Sequence, residues 1–92
     1  RMYLAVTDVQ PNEDFSLRVT FEDGSKALLD MKPYLGLGVF RRIEDPDEFR
    51  RVRIAFDTIE WPCGVDLDPE FVHAKACILT NASRRASAVR RG

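Results

Sequence analysis

Ninety-two residues, 45% apolar and 32% charged, make one folded domain and are too apolar for a chain disordered throughout. The longest apolar run, Met2-Tyr3-Leu4-Ala5-Val6, falls far short of the roughly 20 residues of a membrane span and of the apolar stretch of a signal peptide. The net charge of −1 hides an asymmetry: all 15 acids lie between Asp8 and Glu70, whereas the segment after Leu79 carries Arg84, Arg85, Arg90 and Arg91 and no acid.

Met2 to Val9 is apolar and β-favouring and reads as a first strand. Pro11-Asn12-Glu13-Asp14 breaks it as a turn. Phe15-Ser16-Leu17-Arg18-Val19-Thr20-Phe21 then alternates without a fault, placing Phe15, Leu17, Val19 and Phe21 on one face of a half-buried strand. Asp23-Gly24 tolerates the positive φ of a tight turn, so Lys26 to Asp30 is the returning strand.

Met31 to Leu35, with Pro33 inside it, reads as a helical turn that Asp30 is placed to cap. Gly36-Leu37-Gly38 reads as flexible, and Val39, Phe40 and Ile43 as core contacts from an irregular segment. Asp45-Pro46-Asp47-Glu48 starts a short helix: an acceptor at the cap, proline at the first helical position and glutamate where a capping box wants it. Val52 to Phe56 alternates again as a strand. A second, Thr58 to Trp61, follows a turn at Asp57 and ends at Pro62-Cys63-Gly64. Asp68-Pro69-Glu70 opens another helix, expected to run from Pro69 to Leu79. The expected fold class is α+β: a small antiparallel sheet built on the N-terminal hairpin, with two or three short helices packed on it. Residues 1–80 form the domain, and 81–92 a frayed or disordered basic tail.

The order of these pieces resembles the bacterial family known as domain of unknown function 2442. The resemblance rests on Phe21-Glu22-Asp23-Gly24, Asp30-Met31-Lys32-Pro33-Tyr34-Leu35, Gly38-Val39-Phe40 and the run Ile59-Glu60-Trp61-Pro62-Cys63-Gly64-Val65-Asp66-Leu67-Asp68-Pro69-Glu70. Cys63 and His73 depart from the pattern, standing where a small polar residue and an aromatic are usual. The resemblance implies a compact α+β fold with no established reaction. It also implies relatives sometimes joined to a DNA-binding helix-turn-helix domain and often encoded beside small toxin-like proteins. It therefore points to binding or regulation rather than catalysis.

Five acids, Asp57, Glu60, Asp66, Asp68 and Glu70, fall close together with no base among them. They read as a docking surface for a basic partner, as a weak divalent-cation site, or as a solvated face with helix-capping acids. Trp61 stands in their midst, as an interface aromatic or as a core anchor. The candidate interaction surface is accordingly Asp57, Glu60, Trp61, Asp66 and Glu70. Cys63 or Cys77 with His73 is the one nucleophile–base pair to consider, and His73 and Cys77, four apart, would share a helix face. Neither cysteine belongs to a metal or disulfide motif, so both are expected as reduced thiols in a cytoplasmic protein. Arg41-Arg42 and Arg50-Arg51-Val52-Arg53 flank Glu44, Asp45, Asp47 and Glu48, a pattern of ion pairs across a solvated surface. No catalytic, cofactor or metal residue is assigned. The expected partner is a protein, a small basic one or a second copy of the chain. Ligand binding or catalysis by the acids near Trp61 is the alternative, nucleic-acid binding through the arginine tail a further one, and a membrane is not expected.

Overall fold

The computed structural model describes residues 3–79. The chain runs β1 (Val6–Pro11), β2 (Ser16–Phe21), β3 (Lys26–Asp30), 3-10 turns over Lys32–Tyr34 and Gly38–Ile43, α1 (Pro46–Phe49), β4 (Arg53–Ala55), β5 (Thr58–Trp61), β6 (Val65–Leu67), α2 (Pro69–Lys75) and β7 (Cys77–Ile78). The class is α+β, as the patterning predicts. There are two antiparallel sheets rather than one, ordered β1-β2-β3-β7 and β4-β5-β6.

The β2–β3 hairpin forms where the alternation and turn chemistry put it, with Val19 opposite Ala27 and Leu17 opposite Leu29. Gly24 takes φ +87°, and the Asp23 carboxylate accepts from the backbone and hydroxyl of Ser25 at 2.9 and 2.6 Å. Leu17, Val19 and Phe21 are buried, at 0, 0 and 2% exposure. Phe15 precedes the strand with φ +65°, half-buried, its ring 5.0 Å from that of Phe49.

β1 starts later than its apolar run predicts. Tyr3 to Ala5 leaves the sheet, and the Leu4 carbonyl accepts from His73 Nε2 on α2 at 3.1 Å. Pro11, which has no N–H to give a ladder, is the last residue of this edge strand.

Three further expectations are corrected. Val39 is exposed, so of the Gly38–Ile43 segment only Ile43 is fully buried. Asp45 and Asp68 hold the N-cap positions with extended backbones, ahead of Pro46 and Pro69, but neither side chain makes a cap hydrogen bond. Their charges still lie beside a helix N-terminus, where anions are favoured. Third, α2 stops at Lys75, because Cys77 and Ile78 leave the helix and pair with Leu28 and Ala27 at the edge of β3. Leu79 N–H completes that edge by donating to the Lys26 carbonyl at 2.7 Å. Satisfying an open sheet edge outweighed helical continuation, as tertiary context routinely overrides propensity.

One core joins the two sheets. Leu17, Val19, Phe21 and Leu29 from the first meet Ile59, Trp61, Val65 and Leu67 from the second, with Ile43, Phe49 and Val72 supplied by the helical segments. The two sheets also join through backbone, Val6 N–H donating to the Asp57 carbonyl at 2.9 Å. The expected tail, residues 81–92, lies outside the described residues.

Candidate interaction surface

The structure separates the five residues singled out by the sequence. Trp61 is 1% exposed, and its indole N–H donates to the Phe49 carbonyl at 2.9 Å. It is a core anchor and presents no ring to a partner or a ligand. Glu60 faces outward in the middle of the second sheet, between Arg53 on β4 and Asp66 on β6. Its carboxylate accepts from the Arg53 guanidinium at 2.6 and 2.8 Å, so much of its charge is neutralised. Asp66 beside it is exposed.

Asp57 and Glu70 lie elsewhere. The pairing of Ile59 with Leu67 brings the start of β5 beside the end of β6, so Asp57, Asp68 and the first turn of α2 with Glu70 share one end of the sheet. The Trp61-to-Gly64 turn is at the other end, roughly 10 Å away along a four-residue strand. Through the Val6–Asp57 bond and the pairing of Val6 with Phe21, the β2–β3 turn with Glu22 comes to the acidic end as well.

That acidic end carries a residue the sequence reading placed in a strand. Phe56 occupies the first position of the two-residue Phe56-Asp57 loop between β4 and β5, where Ala55 pairs with Thr58. Its φ is +58°, a conformation that glycine adopts freely and a bulky L residue does not. It is 100% exposed, the most exposed of the large apolar side chains among the described residues. The signal was available in the spacing: two alternating strands closed by Phe-Asp, where a hairpin of this length calls for glycine or asparagine.

The other candidates resolve as structure. His73 lies between the rings of Phe21 and Tyr3, at 4.7 and 5.2 Å, and donates its Nε2 hydrogen to the Leu4 carbonyl. Cys77 sits on β7 and is exposed, so it neither shares a helix face with His73 nor packs in the core; Cys63 and Cys77 are both free thiols. Arg50 pairs with Asp47, and Arg51 Nε lies 3.8 Å from Glu48, as the local charge pattern suggests. Arg41 and Arg42 instead donate to the carbonyls of Gly36 and Cys63, at 3.2 and 3.1 Å. Among the described residues no group of three or more His, Cys, Asp and Glu is arranged to hold a metal ion, and no helix is long and apolar enough to cross a membrane.

Among the described residues four groups depart from their ordinary ionisation, all at or beside the turns of the first sheet. The Ser16 hydroxyl holds Asp14 below its ordinary carboxyl value, and the Ser25 hydroxyl does the same for Asp23. Lys32 lowers Asp30, and Asp30 in turn raises Lys32. These are turn-stabilising contacts.

Two sheets on one core, with a bare aromatic at a hairpin tip, define a small α+β domain. The chain belongs to the family described as "Protein of unknown function (DUF2442)", whose model matches residues 6–76. No curated protein and no solved structure matches it.

Proposed function

We propose that the chain is a non-catalytic protein-interaction module that engages its partner through the Phe56 end of the second sheet. The observation that carries this reading is Phe56: a large ring, wholly in water, on a backbone conformation that disfavours it. Strain of this kind costs on the order of 1–3 kcal/mol and persists where another role offsets it. Aromatic side chains are the usual anchors of protein interfaces. The loop that presents it is tied to the first sheet by the Val6–Asp57 hydrogen bond. Because Asp57, Asp68 and Glu70 lie at the same end, the partner presents positive charge around an apolar pocket, and attraction between unlike charges speeds encounter. A regulatory pairing with a small toxin-like protein rests on the family resemblance alone; a small basic protein encoded by the neighbouring reading frame would favour it, and a metabolic neighbourhood would not.

The test is capture from native lysate on wild-type and Phe56→Asn chains, compared by mass spectrometry. Asparagine tolerates this φ, so the hairpin is kept while the ring is removed. The reading expects a protein recovered by the wild type and lost by the variant. Equal recovery on both would overturn it.

A further inference from the structure

A basic, apolar surface of the kind that Phe56 needs is present on this same chain. Tyr34, Phe40 and Phe71 form a half-buried aromatic platform, with ring centroids 5.1 Å apart for Tyr34–Phe71, 6.4 Å for Tyr34–Phe40 and 6.3 Å for Phe40–Phe71. Leu37 and Val39 stand next to it, 59 and 52% exposed, on the loop that joins Tyr34 to Phe40. Apolar side chains so exposed beside a partly open aromatic cluster make a patch rather than scattered single residues. Arg41 and Arg42 adjoin it. Each donates to a backbone carbonyl, and neither makes an ion pair among the described residues, so both charges stay available. Asp68 and Glu70, at the Phe56 end, likewise make no ion pair among the described residues.

Resting on the reading of Phe56 as an interface anchor, we propose that its partner is a second copy of this chain: the Phe56 ring of one copy packs on the Tyr34–Phe40–Phe71 platform of the next, under Leu37 and Val39, with the acids of one end facing Arg41 and Arg42. Aromatic rings gain from such offset or edge-on contact beyond the area they bury. The two surfaces are different and come nearest at the first turn of α2, where Phe71 follows Glu70. Arg42 reaches the Cys63 carbonyl, at the end of the second sheet opposite the Phe56 hairpin. The contact therefore joins unlike surfaces, head to tail, and each copy has one of each to offer.

Sedimentation velocity on the purified full chain tests this. The wild type is expected to exceed the mass of a single chain as concentration rises, and to do so less at high salt, because the acid–arginine attraction is screened within roughly 8–10 Å at ordinary ionic strength. Phe56→Asn and Leu37→Asp each remove one of the two surfaces at an exposed position, and each should sediment as a single chain. An equal mixture of the two restores one contact per pair and should stop at two copies. A wild type that stays a single chain up to about 1 mM, the weak end of specific association, would overturn the second-copy assignment. So would a Leu37→Asp chain that associates as the wild type does. If the wild type is a single chain and capture from lysate still depends on Phe56, the second-copy assignment fails and the binding-module reading stands. If capture is independent of Phe56, that reading fails too.

Discussion

Two phenylalanines of this chain share a conformation and differ in everything else. Phe15, before β2 in the first sheet, has φ +65°; Phe56, between β4 and β5 in the second, has φ +58°. The Phe15 ring packs edge-on against Phe49, and its carbonyl accepts from Met31 N–H at 3.0 Å, so local strain is offset by contacts. Phe56 makes no such exchange, being wholly exposed. The same contrast separates two of the hairpin turns, β2–β3 and β4–β5. Asp23-Gly24 supplies the residue its geometry wants, with Gly24 at φ +87°, whereas Phe56-Asp57 does not. Sequences usually agree with their fold at every level, and a local disagreement with no structural return marks a position kept for another reason. The first sheet is built for stability throughout. The second is built for stability on its inner face and departs from it at one tip.

The comparison breaks first at the core, if the two sheets do not share one. Trp61→Ala should cost about 3–5 kcal/mol and Leu17→Ala about 2–5 kcal/mol. Both should lower the midpoint of a single urea transition, followed by fluorescence for Leu17→Ala and by circular dichroism for both. Two separable transitions, or a loss below about 0.5 kcal/mol for either, would mean that one sheet stands outside the common core.

Changes at the turns sharpen it, because they should differ in sign. A Cβ at Gly24 would meet nothing within 4 Å, so Gly24→Ala costs only the strain of a left-handed alanine, about 1–2 kcal/mol. Phe56→Gly relieves that strain and removes no packing, and should raise stability by up to about 1 kcal/mol while abolishing partner capture. Phe15→Gly should lower stability, since the contact with Phe49 goes with the ring. Thermal melts of the three variants decide the matter, and a loss for Phe56→Gly comparable with that for Phe15→Gly would mean that Phe56 is a structural residue after all.

The smallest effect expected is one of pH. Asp14, Asp23 and Asp30 all titrate below the ordinary value of 3.8 in the folded chain, held there by Ser16, Ser25 and Lys32 respectively. A carboxyl lowered by folding contributes stability that is complete above its unfolded value and is lost as pH falls through its folded value. Stability should therefore decline below about pH 4, the usual carboxyl range. All three serve turns of the first sheet. Asp14→Asn should flatten the decline, as urea midpoints taken between neutral and acid pH would measure.

How much of this was legible depended on how local each cause was. The β2–β3 hairpin was, because perfect alternation and an Asp-Gly turn state both period and closure within the segment. The limits of β5 were, from Thr58 to the Pro62-Cys63-Gly64 stop. The candidate interaction surface was not. Five acids near one another in sequence read as one surface, but an antiparallel strand sends its two ends to opposite ends of the sheet, and that parts Asp57 from the Trp61 turn. Glu60 met Arg53 across a strand pair that no local pattern reveals. Phe56 was absorbed into a strand because alternation says where apolar residues recur, and not where a run ends.

Taken alone, then, the sequence determined the α+β class, the first hairpin, the prolines that open α1 and α2, and the family, because each is written in neighbouring residues. Only the tertiary structure decided that there are two sheets, that α2 ends at Lys75 so that Cys77 and Ile78 can close the edge of β3, and that Trp61 lies within while Phe56 stands without. Those outcomes rest on which backbone edges and apolar faces find partners across the chain, a competition among distant segments that is resolved only when the whole core closes.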